Sequence, residues 1–215
     1  MVNILRIAPD RIEAESFRII DARIEAMRRQ DDAPVPDFSL AEYQVVRRMI
    51  HATGDFDFLH TVRFRNRAVE AGIDAIRSGR NILVDVNMAA VGISAGIAKR
   101  FGCRVVCRIG EPETADLAER AGMTRSEAAF TRAAEDNIGI VAVGNAPTAL
   151  LGIMKLIESG RMSPDLVVGV PVGFVNAAES KELLMEKDYA FITALGNKGG
   201  TPVAVAAINA LLRLA

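Results

Sequence analysis

His51, in RRMIHATGD, and His60, in FLHTVRF, are the only imidazoles in the sequence. Imidazole is the side chain whose ordinary pKa lets it gain and lose a proton near neutral pH. His51 follows Ile50 at the edge of an apolar helical stripe, three residues before Gly54. Arg47 and Arg48 lie within side-chain reach of it on a helix and oppose a charge on the ring. The helix C-terminus and nearby Asp55 and Asp57 favour that charge, so the sequence leaves the balance open. A histidine in this position is either a general acid or base or a C-terminal helix cap. His60 has no comparable setting and reads as structural.

Backbone N–H groups are a second source of chemistry. VAVGNAPTALL, VVGVPVGFVNAAESK and ITALGNKGGTPVAV each run from a strand-like stretch through a turn into a helical pattern. The first offers Asn145 and Thr148, the second Gly173 and Asn176, the third Lys198, Gly199 and Gly200, with Pro202 suited to a first helical turn. Free N–H groups and the helix dipole attract anions at such places, and Lys198 adds a full charge. The loops read singly as ordinary turns and caps. Together they read as one pocket for a wide ligand bearing several carboxylates. Neither a G-x-G-x-x-G nor a Walker lysine motif is present, so the nucleotide signal is weak.

Cys103 and Cys107, in FGCRVVCRIG, fall on one face of a strand, too far apart for a disulfide. No histidine stands beside them as a zinc site would require, and no nucleophilic triad is in view. The expectation is two reduced thiols and no metal.

These residues need a scaffold. The chain has 215 residues, 50 % apolar and 25 % charged, with a net charge of -1. This excludes a disordered chain and argues against a broad nucleic-acid surface. With aromatics at 5 % and no tryptophan, a base-stacking platform is not expected. The N-terminus lacks the apolar core and cleavage site of a signal peptide. The most apolar window, ILVDVNMAAVGISAGIA, is interrupted by Asp85, Asn87, Ser94 and glycines, so it reads as strand, loop and helix rather than a membrane span. A cytoplasmic protein without membrane or nucleic-acid partners is expected.

The first third is helical. Phe17, Ile20, Ile24 and Met27 form one stripe over residues 10–30, and DDAPVPDF breaks it. Ser39 and Glu42 make a capping box for the next helix, whose buried stripe is Leu40, Tyr43, Val46 and Ile50, with Gly54 as its stop. NRAVEAGIDAIRSG is a third helix. From residue 80, short valine- and isoleucine-rich runs alternate with helical patterns, as parallel βαβ units do. The fold class is therefore α/β: an open, mainly parallel sheet of about five strands, helices on both faces, and an N-terminal helical segment. Nothing divides the chain, so residues 1–215 read as one domain. The striped N-terminal helices lie outside the βα repeat and can bury their stripes against a second copy, which points to a homodimer.

In order along the chain, AESFRIID, RRMIHATGD, NILVDVNMAAVGI, MTRSEAAF, AVGNAPTALL, PVGFVNAAESKELL and LGNKGGTPVAVAAINALL resemble the precorrin-8X methylmutase family of cobalamin biosynthesis. Its cobalt-using form is cobalt-precorrin-8 methylmutase. The resemblance implies an isomerase that moves a methyl group from C-11 to C-12 of a corrin-type macrocycle, giving hydrogenobyrinate or cobyrinate by a proton-assisted 1,5-sigmatropic shift. It also implies homodimers with the active site near the subunit interface, no cofactor, an acid/base role for His51, and substrate contacts at Ser16 and Arg125. From the residues alone, Arg125 is equally a solvated charge at a helix start, and Ser16 a small residue beside the core stripe. A tetrapyrrole acid is broad, apolar in the middle and ringed by carboxylates, which suits glycine-rich helix starts, Lys198, and an Arg125 able to grip one carboxylate with two bonds. The competing readings are a corrinoid carrier without turnover and a nucleotide-dependent Rossmann-like enzyme.

Overall fold

The computed structural model describes residues 6–29 and 35–215. The apolar piece at residues 1–5, and residues 30–34 with the start of the proline-rich break, lie outside them. Helix α1 spans Ile12–Arg28 and α2 spans Leu40–Thr53. The capping box of α2 is formed: Glu42 N–H donates to Ser39 Oγ at 3.3 Å, and Ser39 N–H donates to Glu42 Oε2 at 2.9 Å. Gly54 ends α2 with a left-handed φ of +69° while its N–H donates to the Ile50 carbonyl at 2.7 Å. Val45, Val46, Met49 and Ile50 are buried. Leu40 is not part of the buried stripe: as the first residue of α2 it is 87 % exposed. Packing begins a turn later, at Tyr43, whose hydroxyl donates to Asp21 of α1 at 2.6 Å.

After α2 come a single-turn helix α3, Phe58–Thr61, and a strand β1, Val62–Arg65. Strand β1 is not expected from the sequence, because VRFR is only four residues long and carries two arginines. Its identity comes from a distant partner: it pairs antiparallel with β6, Val62 opposite Ala194 and Arg65 opposite Phe191. Helix α4, Ala68–Arg77, follows at once through two left-handed residues, Asn66 and Arg67.

The remaining strands are β2 (Asn81–Val84), β3 (Val105–Val106), β4 (Ile138–Val143), β5 (Leu166–Gly169) and β6 (Phe191–Ala194). Six strands, rather than about five, lie in the order β1-β6-β5-β4-β2-β3, parallel except at β1. Of the cysteine-bearing run only Val105–Val106 is strand. Alternate residues point to opposite faces. Ile82, Val84, Ile140, Val168 and Ile192 join a core with α1, α2, α4, α5 (Asn87–Gly92), α6 (Ala95–Arg100) and α11 (Thr201–Leu214). Leu83, Val141, Val143, Val167 and Phe191 join a second core with α8 (Arg125–Arg132), α9 (Pro147–Glu158) and α10 (Ala177–Met185). Helix α7, Pro112–Ala121, flanks α8. Each such aliphatic side chain contributes about 1.5–3 kcal/mol when fully buried, so neither face could remain open to water.

The chain leaves β2 for β3 on one side, and β4, β5 and β6 follow on the other. That reversal between β2 and β4 is where ligands enter an open α/β sheet, outside the carboxyl ends of the strands. Among the described residues no helix is long and apolar enough to cross a membrane.

Candidate active site

The crevice between β2 and β4 is filled from within. Asp85, directly after β2, is fully buried. Its Oδ1 accepts the Gly144 N–H at 3.1 Å, and its Oδ2 accepts those of Asn145 at 2.7 Å and Ala146 at 2.9 Å. Burial pushes the Asp85 carboxyl above its ordinary range, and the three donors pull against that rise. The N–H groups expected to be free for a ligand in GNAPT are therefore taken up by an internal carboxylate. The side chains of exposed Asn145 and half-buried Thr148 remain near the crevice. Gly144 is required by close approach: a Cβ there would lie 2.7 Å from the Cα of Thr201, at the start of α11.

The loops after β5 and β6 are braced against each other. Gly200 N–H donates to the Val170 carbonyl at 2.8 Å, and Gly173 N–H to the Asn197 carbonyl at 3.2 Å. A Cβ on Gly199 would lie 2.3 Å from the Val170 oxygen, and Gly200 has a φ of +118°. Beneath this pair lies Lys181 of α10, with no exposed surface, its Nζ donating to the Lys198 carbonyl at 2.8 Å. Burial pushes the Lys181 amine down to about 8. Above it, Lys198 donates to Asp55 Oδ2 at 2.7 Å and Asp57 Oδ2 at 2.5 Å. These bonds raise the Lys198 pKa, and Lys198 holds Asp55 below the usual carboxylate range. Lys198 is thus not a free cation in the single chain. On the loop after β5, Phe174 is 91 % and Val175 78 % exposed, before Asn176 enters α10 in a left-handed conformation.

His51 is exposed in the last turn of α2. Its ring lies 5.1 Å from that of Phe17 on α1, tilted by 57°. The guanidiniums of Arg47 and Arg48 also meet Phe17, at 4.3 and 5.1 Å from its centroid. Both are held by α1 carboxylates: Arg47 donates to Asp21 and Arg48 to Glu13, each at 2.9 Å. The Arg48 bond lowers the Glu13 pKa. Ser16 precedes Phe17 and is half-buried, so one seam carries both Ser16 and His51. Asp55 and Asp57, just past the end of α2, connect the seam through Lys198 to the glycine-rich end of β6.

Arg125 is the first residue of α8, behind a capping box in which Glu127 N–H donates to Thr124 Oγ1 at 3.2 Å and Thr124 N–H to Glu127 Oε2 at 2.9 Å. It is exposed and makes no ion pair among the described residues. A cation at a helix N-terminus opposes the dipole, at a cost of about 0.3–1 kcal/mol. Helix α8 belongs to the core on the face of the sheet opposite to α1 and α2. One chain therefore gathers His51, Ser16 and the β6 end loop, while Arg125 shares the other layer with α9 and α10, the helices that follow the Asn145 and Gly173 loops.

Cys103 and Cys107 are free thiols, and Cys103 donates to the Ile76 carbonyl at 3.3 Å. Among the described residues no group of three His, Cys, Asp or Glu side chains converges as a metal site requires. Sequence reasoning did not assign Asp85, Lys181 or Phe17 to the site. Asp85 carried a signal, an acid inside the apolar run NILVDVN. Lys181, within AAESKELLM, carried none.

Comparison with known proteins agrees with this architecture. The family model for precorrin-8X methylmutase matches residues 11–214. Cobalt-precorrin-8 methylmutase of Leptospira interrogans is 39 % identical over 212 residues, covering 94 % of this chain and 92 % of its own. Precorrin-8X methylmutase of a Sinorhizobium species is 36 % identical, covering 94 % of this chain and 93 % of its own. The crystal structure of precorrin-8X methyl mutase from Thermus thermophilus superposes with a TM-score of 0.82 at 45 % identity, covering 94 % of each chain. The chain belongs to the precorrin-8X methylmutase family and is an isomerase of the methylmutase type.

Proposed function

We propose that this chain moves the methyl group from C-11 to C-12 of a corrin-type macrocycle, precorrin-8X or its cobalt counterpart, with His51 as the acid/base. The observation that carries this reading is the exposed imidazole of His51, held against Phe17 beside Ser16 on a seam tied to the glycine-rich strand ends. In the shift, the bond from C-11 to the methyl carbon breaks as the bond to C-12 forms, and the conjugated macrocycle supplies the electrons. No outside methyl donor or oxidant enters the balance. His51 gives a proton to the conjugated system or takes one from it, a contribution of about 10²–10⁴ in rate. Holding the macrocycle in one geometry away from water contributes the remainder. Ser16 and the loops carrying Asn145, Thr148, Gly173, Asn176, Gly199 and Gly200 form the rim for substrate carboxylates, through side chains and the remaining N–H groups.

The functional unit is a twofold homodimer in the cytoplasm. Supporting this are α1 and α2, which lie outside the βα repeat and keep large apolar side chains at the surface. Exposed Ile12 and Ile19 on α1 and Leu40 on α2 are apolar surface for such a contact, and twofold dimers are the commonest soluble oligomers. The two free cysteines suit a reducing compartment. A nucleotide-dependent reading is disfavoured by Asp85, whose carboxylate lies where a phosphate would meet the N–H groups after β4.

The direct experiment incubates the protein with precorrin-8X or its cobalt form and follows absorption spectrum and mass together. The expected outcome is a changed spectrum at constant mass. Binding of the macrocycle with no spectral conversion would make the protein a carrier and overturn the proposal.

A further inference from the structure

Lys198 faces carboxylates of its own chain, and this bears on how His51 is held. The contacts form a continuous path. Buried Lys181 grips the Lys198 carbonyl. The Lys198 ammonium grips Asp55 and Asp57. Asp55 uses its other oxygen, Oδ1, to accept the Asp57 N–H at 3.0 Å, and its own N–H donates to Thr53 Oγ1 at 3.2 Å. Thr53 is the last residue of α2, and its hydroxyl donates to the Met49 carbonyl at 2.8 Å, inside the turn that carries His51.

We propose that Lys198 and Lys181 are positioning residues, a clasp that fixes the His51 end of α2 to the glycine-rich end of β6. Two features separate this from an ordinary surface ion pair. Exposed pairs contribute little because both side chains must be ordered for one contact. Here the Asp55 carboxylate is already ordered by the Asp57 N–H and its backbone by the Thr53 hydroxyl, and Lys198 meets two carboxylates rather than one. The second feature is Lys181. Among the described residues it has no carboxylate partner, and placing an amine in the interior with a single carbonyl acceptor is costly. An apolar side chain would fill the same space at lower cost but would leave the Lys198 carbonyl without its donor. The lysine therefore fixes the backbone from which Lys198 reaches Asp55 and Asp57. Lys198 thereby serves the orientation of His51 rather than a substrate carboxylate, a role that rests on the acid/base reading of His51.

The test uses Lys198→Met, the pair Asp55→Asn with Asp57→Asn, all three changes together, Lys198→Arg, and Lys181→Met, each in the full chain. Single-turnover rate and affinity for the corrin product are measured separately. The clasp predicts that Lys198→Met and the Asp55→Asn, Asp57→Asn pair each slow turnover about tenfold, as a small displacement of a catalytic group does. Product affinity stays within about twofold, the triple variant loses no more than either parent because the changes break one unit, and Lys198→Arg keeps most of the rate. Lys181→Met slows turnover in the same way and speeds exchange of the Gly200 amide. The reverse pattern overturns the proposal: product binding weakened about tenfold by Lys198→Met, with turnover intact in the Asp55→Asn, Asp57→Asn pair, makes Lys198 a substrate ligand.

Amide hydrogen exchange decides the matter without substrate. Lys198→Met should speed exchange at Gly54, Asp55 and Asp57, and unchanged exchange there removes the clasp. If the wild-type protein proves inactive, the proposed reaction fails while the exchange rates still test the clasp. If Lys181→Met fails to fold, the Lys198 and aspartate variants, all at the surface, still distinguish a clasp from a substrate ligand.

Discussion

Phe17 and His51 meet ring to ring at 5.1 Å across the α1–α2 seam, and Phe17 also carries Arg47 and Arg48 on its surface. The imidazole is exposed on one side and supported on the other. Such a group can keep a fixed direction while remaining open to a ligand. His51→Ala should fold normally, bind the corrin product and lose about 10²–10⁴ in single-turnover rate. His51→Asn is the stricter variant, since it keeps polarity without a useful pKa. A rate near wild type in either removes His51 from the mechanism.

Arg125 should act through its planar, two-pronged guanidinium, which lysine does not reproduce. Arg125→Lys is expected to weaken product affinity, and Arg125→Ala to weaken it further, measured by absorption titration. Unchanged affinity in both returns Arg125 to an exposed charge at the start of α8.

Mixing two variants tests whether one site takes His51 and Arg125 from the same subunit. His51→Ala and Arg125→Ala proteins are mixed after reversible dissociation and assayed at a substrate concentration where neither alone turns over measurably. If each site draws the two residues from different subunits, hybrid dimers regain one intact site and part of the activity returns. Mixing that restores nothing places both residues in one subunit's site. A monomer in sedimentation with full turnover defeats the dimer.

Asp85→Ala should be among the most destabilising single changes in the chain. It leaves the buried N–H of Gly144 and those of Asn145 and Ala146 without their acceptor. Losses of about 1–3 kcal/mol per orphaned group predict a drop of about 3 kcal/mol or more in urea unfolding. A drop under about 1 kcal/mol would mean that water replaces the carboxylate.

Lys181 makes stability depend on pH in a defined direction. Its amine is pushed from 10.5 to about 8 in the folded protein. Between these values the unfolded chain binds the extra proton, so stability rises with pH across that window. The stability of the wild type relative to Lys181→Met should therefore increase from about pH 8 to about pH 10, read from urea midpoints of both proteins. A flat difference means that the folded amine is not depressed.

Local chemistry was legible where local chemistry decides. Ser39 and Glu42 close their capping box, and Gly54 stops α2, because a cap needs only residues a few positions apart. The apolar runs from residue 80 became strands because no exposed position exists for them in a doubly covered sheet, and the alternation of strand and helix leaves few topologies. Ser16 and His51 were singled out through the family resemblance, His51 also by its place at a helix end, and the fold sets both on the α1–α2 seam. What sequence could not fix was the partner of each group. VRFR became β1 only because β6 offered a free edge. The GNAPT amides found Asp85, about sixty positions away, rather than a ligand, and Lys198 found Asp55 and Asp57 rather than solvent. The sheet also set Arg125 and His51 in different layers although both look like substrate residues in the chain. Caps and periodicity are properties of neighbours along the backbone, whereas the occupant of a donor or a charge is whatever the folded chain brings within about 3 Å of it.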